Sequence, residues 1–315
     1  MAADGRAVSD IGEQGLIGLL SSRLIEPPPG SIWSGDDAAV VDVPLGRAVV
    51  TTDLIVEDID FRLDTFGPAD IGWKAVAINV SDIAAMGATP LYALATVAIH
   101  GDTPVELFEG IADGLFEAAE AFGVYVIGGD ISEAGELSVG VTLIGMPGER
   151  SVTRGGARPG DAICVTGELG GAAGGLVALD RQIDTPELIE RQRRPRPRVE
   201  DGRYAANSGA TSMIDLSDGL AMDLGHIVTA SGVGCEVDID AVPVDQNLSL
   251  LDIDPLVLAI IGGEDFELLF TVPDARAVDG IDATQIGVVT DGAARIGDKP
   301  LNEWRDRAWD HLRGR

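Results

Sequence analysis

Lysine is nearly absent from this chain. Lys74 and Lys299 are the only two, and lysine plus arginine total 22 against 52 acids, a formal net charge of -30. Such a surplus repels polyanions over any unpatterned face, so nucleic acid and anionic membrane surfaces are excluded as partners and cations are favoured. Cysteine is as scarce. Cys164 and Cys235 lie far apart in separate strand-like apolar runs and fit no metal or redox spacing, which reads as two buried thiols in a reducing compartment. No apolar run approaches the roughly 18 residues of a membrane span; "LVLAII" at 256–261 is among the longest. The start, "MAADGRAVSD", has acids and no apolar run behind a basic one, so no secretory leader is expected and the cytoplasm is. Histidine is limited to His100, His226 and His311, none of them inside the acidic motifs described below.

What the chain does contain is alternating helical and strand-like pattern over 315 residues, enough for two α+β domains. In the first half a helical segment, "IGEQGLIGLLSSRLI", precedes strand-like runs at "AAVVDV", "RAVVTTDLIV", "YALATVAI", "VYVIGGDI" and "LSVGVTLIGM". Helical patterns at "ADIGWKAVAINVSDIAAMG" and "VELFEGIADGLFEAAEAFG" interleave with them, each closing on glycine. The glycine- and arginine-rich stretch "GERSVTRGGARPGD", 148–161, marks a boundary, giving domains 1–149 and 150–315. The second half begins at "AICVTG" and continues through "GELGGAAGGLVALD", where the glycines read as close helix packing. Strands follow at "TSMIDL", "CEVDID", "FELLFTV" and "TQIGVVT". Between them "RQRRPRPR", 191–198, reads as a non-helical basic loop, either a phosphate grip or a solvated connector.

The acids gather in short motifs where apolar runs end among small residues: "GDDAAV", "TTDLIVED", "NVSDIAAMG", "IGGDI", "IDLSDGLAMD" and "GGEDFEL". Taken singly, each fits capping or turn chemistry; Ser217 or Asp218, for instance, is placed to cap a helix through "LAMDLGHIVTAS". Asp223 reads as a solvent-facing acid of that helix. Brought together, two bare carboxylates about 4 Å apart repel by on the order of 4 kcal/mol at an effective dielectric of about 20, so something positive must sit between them. Neither lysine is beside a motif, and shared protons would leave a quiet site. Hard divalent cations suit a set of carboxylates and hydroxyls that lacks cysteine and histidine. Magnesium on aspartates in turn points to phosphate chemistry. The chain has no G-x-x-x-x-G-K-[ST] loop, G-x-G-x-x-G fingerprint or catalytic H-R-D loop, so the common nucleotide folds are excluded.

In order along the chain, "GDDAAV", "TTDLIVED", "NVSDIAAMGATP", "IGGD", "VTRGGARPGD", "IDLSDGL" and "GGEDFEL" resemble the thiamine-monophosphate kinase family, within the aminoimidazole ribonucleotide synthetase superfamily. The resemblance implies an α+β, two-domain aminoimidazole ribonucleotide synthetase-like fold. Its N-terminal sheet domain would bind ATP and metal and form a homodimer; the C-terminal domain is α/β. It also implies ATP-dependent phosphorylation of thiamine monophosphate to the diphosphate by direct in-line transfer, with several Mg²⁺ ions. By position, Asp37, Asp53, Asp82, Asp130, Asp215 and Asp218 match metal ligands, assisted by Thr51 and Thr52. Gly129, Asp130, Arg154 and Ser217 match ATP contacts, and Arg154, Asp130 and Asp218 carry the catalytic roles. Asp60, Glu264 and Trp309 match contacts to the thiamine part. Asp60 stands where many members have histidine, and it reads equally as a substrate contact or a turn acid. Trp309 offers a flat face to a ring or a hydrophobic latch for the C-terminal segment. The competing expectations are another ATP-dependent enzyme of the superfamily and a non-catalytic acidic cation-binding protein.

Overall fold

Strand alternation and glycine stops place the described elements of the first half where the pattern predicts. The computed structural model describes residues 47–308 together with Ala7, Asp10, Leu19, Leu20 and Arg23. The expected strand "AAVVDV", most of the opening helix, Asp37 and Trp309 lie outside the described residues. The chain divides into two compact units, Met1–Val80 with Pro90–Met146, and Ser81–Thr89 with Pro147–Arg315.

The first unit holds β1 (Val49–Val56), most of α1 (Pro68–Ala85), β2 (Thr89–Ile99), α2 (Val105–Phe122), β3 (Tyr125–Glu133) and β4 (Ser138–Met146). Its four strands run in the order β1-β4-β2-β3. β2 and β3 are parallel, and α2 is the crossover that such a pair requires. Gly72 and Gly114 let α1 and α2 touch backbone to backbone, since a Cβ on either would overlap a carbonyl of the other helix. α2 then ends at Gly123 with φ 70°, a conformation glycine adopts without cost. Along β1 the pleat separates two faces. Ile55 is buried opposite Val139, whereas Val50 and Leu54 are 62% and 58% exposed on the other side.

The second unit is built on a seven-stranded sheet, β11-β10-β7-β9-β5-β8-β6. Its strands are β5 (Ala162–Thr166), β6 (Ser212–Asp215), β7 (Gly234–Val237), β8 (Leu268–Val272), β9 (Ala283–Thr290), β10 (Ala294–Ile296) and β11 (Lys299–Pro300). The helices are α3 (Gly171–Arg181), α4 (Pro186–Arg193), α5 (Val199–Asn207), α6 (Leu220–Ser231), α7 (Pro255–Ile261) and α8 (Leu301–Arg305). β5 is buried throughout and directs Ile163 and Val165 into one core cluster, Ala162 and Cys164 into another. Both layers of a helix-covered sheet are thereby filled with apolar side chains, as a fully buried central strand requires. The two cysteines are free and buried, and burial pushes each thiol up to about 11.

Two expectations are corrected here. The segment "RQRRPRPR" is not wholly loop: α4 continues through Arg193, and only Pro195 and Pro197 keep the chain from helix until α5 begins. Asp223 is not solvent-facing but 1% exposed, because the α6 face that bears it turns inward with Leu220, Leu224 and Ile227. The glycines of "GELGGAAGG" do serve close packing; a Cβ at Gly175 of α3 would strike the carbonyl of Leu188 in α4.

Candidate active site

β6 ends at Asp215, and Leu216 and Ser217 pair with the "GGEDFEL" segment instead of turning directly into helix. Leu216 N donates to Glu267 O at 2.8 Å, Phe266 N to Leu216 O at 2.9 Å, and Glu264 N to Ser217 O at 2.8 Å. This pairing places three residues in the left-handed region: Gly219 at φ 99°, Glu264 at φ 68° and Phe266 at φ 50°. For the two non-glycines such a backbone costs about 1–3 kcal/mol each, and residues in that state cluster at functional sites. At Gly219 a Cβ would meet Gly262 O at 2.6 Å, so only glycine fits. Gly219, with no side chain to offer, stands at the N-cap of α6, so neither Ser217 nor Asp218 caps the helix. Asp223 Oδ2 instead reaches back from the first turn to accept from Asp218 N at 3.1 Å.

The charges here are crowded. Asp215 is 4% exposed, and burial together with the charge of Asp82 pushes its carboxyl up to about 7, against the opposing pull of Ser81 and Arg154. Asp223 is raised well above the carboxylate range by burial and then by Asp215 and Asp218. His226, one turn along α6, is lowered by burial and by the charges of Arg154 and Arg305, with Asp218 opposing. Ligand atoms of Asp218, Asp223 and His226 all lie within 4.8 Å of one another. The loop carrying Arg154 is fixed by the far end of the same helix: Ser231 Oγ accepts from Gly156 N and Ala157 N, each at 3.1 Å. Thus Asp82, Arg154, Asp215, Ser217 and Asp218 belong to one neighbourhood of the second unit. Asp223 and His226 are in it too, although the sequence suggests a solvent-facing acid for the first and no part in the acidic motifs for the second; a D-x-x-H pair one helical turn apart was the available signal.

The three acids of "GGEDFEL" are each held. Gln192 Nε2 donates to Glu264 Oε2 at 2.6 Å. Asp265 accepts from Gly170 N at 2.6 Å and Ala172 N at 3.1 Å, a carboxylate on the start of α3, although burial still pushes it up to about 7. Glu267 is gripped through both oxygens by Arg198 Nε and Nη2, each at 2.7 Å, and by Thr166 Oγ1 at 2.5 Å. Arg191 pairs with Asp245 at 2.8 Å. Arg191, Gln192 and Arg198 of "RQRRPRPR" therefore hold acids within their own unit, a role that neither a phosphate grip nor a solvated connector describes.

In the first unit, pairing with β4 puts Thr51 and Asp53 on the face of buried Leu143 and Val141. Thr52 points the other way, where its Oγ1 meets Thr142 Oγ1 at 3.0 Å. Asp130, on β3, pairs with Thr96, whose side chain shares the face of Leu54. Asp53 and Asp130 thus occupy opposite faces and opposite edge strands of the sheet, and three strand spacings, roughly 14 Å, separate those strands. Gly129 has no room for a side chain against the Ala95 backbone. Asp60 folds back so that its Oδ2 accepts from Val56 N at 2.8 Å, and its carbonyl accepts from the buried Lys74 Nζ at 3.0 Å, which is turn chemistry.

The donor set fits a hard divalent cation. In the second unit Asp215 is charge-coupled to Asp82 and accepts from the Ser81 hydroxyl, and Asp218 lies with Asp223 and the His226 imidazole. Both lysines are engaged elsewhere, Lys74 with Asp60 and Lys299 over the Trp304 ring at 4.7 Å.

Residues 35–146 match the family described as AIR synthase related protein, N-terminal domain, and residues 158–298 match AIR synthase related protein, C-terminal domain. The chain is a two-domain α+β protein of the AIR synthase related class. The thiamine-monophosphate kinase of Salmonella typhimurium is 41% identical over 266 residues, 81% of this chain and 80% of that one. That of Mycobacterium tuberculosis is 37% identical over 305 residues, 94% of this chain and 90% of the relative. A solved structure, AaThiL complexed with AMPPCP and TMP, is 33% identical with a TM-score of 0.78, covering 94% of this chain and 96% of that one. The chain belongs to the thiamine-monophosphate kinase family.

Proposed function

We propose that this protein transfers the γ-phosphoryl group of ATP to thiamine monophosphate, giving thiamine diphosphate and ADP by direct in-line displacement. The observation that carries the reading is the match, over nearly the full length of both chains, to a structure complexed with AMPPCP and TMP. The acceptor is a phosphate monoester, already mostly dianionic at pH 7 because its second pKa is about 6, so the site needs no strong base. What it must do is hold two polyanions in line.

Asp37, Asp53, Asp82, Asp130, Asp215 and Asp218, with Thr51 and Thr52, would hold several Mg²⁺ ions. Ions held by these residues would supply positive charge against the phosphate groups of both substrates. Arg154 binds ATP phosphate beside Asp215, while Ser217 and the bare backbone of Gly129 contact the nucleotide. Asp130 and Asp218 complete the catalytic set with Arg154. Glu264 and Trp309 meet the thiamine part; Asp60 serves first as a turn acid, and any substrate contact is in addition to its bond with Val56. In this reading 1–149 is the ATP- and metal-binding, dimerising domain and 150–315 the C-terminal domain. A homodimer through the sheet of the first unit would cover Val50 and Leu54. A reducing, ATP-supplied cytoplasm is the proposed compartment, in keeping with two free thiols.

The test is incubation of the purified chain with ATP, Mg²⁺ and thiamine monophosphate. Thiamine diphosphate and ADP should appear in equal amounts. A folded, metal-replete protein that forms neither would overturn the reading, and other phosphate acceptors would then separate a relative of the superfamily from a cation-binding protein.

A further inference from the structure

Gln192 has no part in the site as assigned above. It lies in the last turn of α4, is 3% exposed, and donates from Nε2 to Glu264 Oε2 at 2.6 Å. Its Oε1 is also buried, and no donor among the described residues reaches it. A buried amide with one end unsatisfied lowers stability, and an apolar side chain of similar size would pack the same volume against Gly175 without that penalty. Packing therefore does not explain a glutamine at this position. The bond to Glu264 does.

Glu264 needs such support. Its backbone is in the left-handed region at φ 68°, and its amide is tied to Ser217 O at 2.8 Å, on the loop of Asp215 and Asp218. With the main chain fixed at one end, the short charge-assisted bond from Gln192 limits the rotamers open to the carboxylate. A neutral donor suits this task better than one of the neighbouring arginines, which would neutralise a carboxylate meant to meet a cationic or N–H-bearing ring.

We propose that Gln192 is a positioning residue that holds the Glu264 carboxylate for recognition of the heteroaromatic part of the phosphate acceptor. The inference rests on the reading of Glu264 as a substrate contact. It assigns to α4, and so to the segment "RQRRPRPR", a part in specificity for the acceptor and none in nucleotide binding.

The test uses the full chain with Gln192→Leu, Glu264→Gln and the double substitution. Gln192→Met, unbranched like glutamine, serves if leucine does not fit. Gln192→Leu should raise KM for thiamine monophosphate about tenfold, leave KM for ATP within about twofold, and leave Tm equal or higher. Combined with Glu264→Gln it should add little, because the carboxylate it positions is gone. If Glu264→Gln leaves the acceptor KM unchanged, the substrate reading of Glu264 fails and takes this inference with it. If Glu264→Gln raises that KM but the Gln192 variants do not, or add their effect in full, the positioning role alone is overturned. A lower Tm, with kcat and both KM values worsening together, assigns Gln192 to the fold and also overturns it.

Discussion

Ser81 Oγ donates to Asp215 Oδ2 across 2.7 Å, joining the end of α1 to the end of β6 within the second unit. The hydroxyl favours the ionised carboxylate, but burial and the charge of Asp82 oppose it and win, which sets Asp215 near 7 in place of its ordinary 3.8. Between those two values the folded protein keeps a proton that the unfolded chain has lost. Its contribution to stability therefore falls as pH rises through this window, and the loss is complete above about 7. Asp223 and Asp265 act with the same sign. For Asp215 the rise corresponds to on the order of 4 kcal/mol at full ionisation. Thermal melts of metal-free protein should show a lower Tm at pH 8 than at pH 5. Asp215→Asn should flatten that slope and raise Tm at pH 8, and, with Asp215 a ligand as proposed, added Mg²⁺ should raise Tm in the wild type and not in the variant. A variant less stable than wild type at pH 8 would show that the carboxylate is not a buried, uncompensated charge.

The Arg198–Glu267 pair makes the opposite case, a buried acid with its cation in place. Two bonds of 2.7 Å join them, and the glutamate side chain is 5% exposed, the arginine side chain 30%. Removing the arginine leaves Glu267 buried beside Thr166 with no counter-charge, and breaking such a pair from one side costs about 3 kcal/mol or more. Arg198→Leu should lower the urea midpoint accordingly, while Arg198→Leu with Glu267→Leu should recover part of the loss. Equal loss in single and double variants would mean the arginine acts through packing and not through the charge.

Much of this arrangement is legible in the sequence, for identifiable reasons. Strands that end in an acid among small residues, such as "SMID" before Leu216, announce themselves by the change from apolar run to turn, so Asp215 and Asp218 stand out. Burial does not announce itself in the same way. Asp223 has helical spacing like any surface acid, and only the packing of Leu220, Leu224 and Ile227 reveals that its face is inward. Side-chain direction along β1 is likewise hidden until a partner strand fixes it: Thr51 and Thr52 are neighbours in sequence, yet pairing with β4 leaves only Thr51 beside Asp53. The basic segment misleads because arginine and proline together suggest an exposed loop, whereas Arg191 and Arg198 are spent on acids that lie far away in sequence.

Asp130 and Asp218 test the proposed metal chemistry with little risk to the fold. Asp130 is exposed on β3, where it accepts from Ser132 Oγ at 3.3 Å. Asp218 is joined to α6 through its backbone amide. Neither side chain supports the core, so Asp130→Asn and Asp218→Asn should leave Tm within about 1–2 °C. Turnover should fall by about two orders of magnitude or more in each, with the Mg²⁺ concentration for half-maximal rate rising. Full activity in either variant would remove that residue from the ligand set.

The open face of the first unit's sheet offers a sharper test of assembly. Val50 and Leu54 stand two residues apart on β1, 62% and 58% exposed, with Leu94 and Met146 also exposed on that face. Exposed apolar groups repeated along a pleat, with no covering layer among the described residues, mark a surface that another chain can cover. If two copies join there, wild-type protein should run as a dimer in light scattering. Val50→Lys with Leu54→Lys should then give a monomer, because four added charges per dimer would be desolvated at the contact. The monomer should keep its far-ultraviolet circular dichroism, since both side chains are exposed and exposed substitutions cost about 0.5 kcal/mol or less. A wild-type monomer, or a dimer that survives both lysines, would place any association surface elsewhere on the chain.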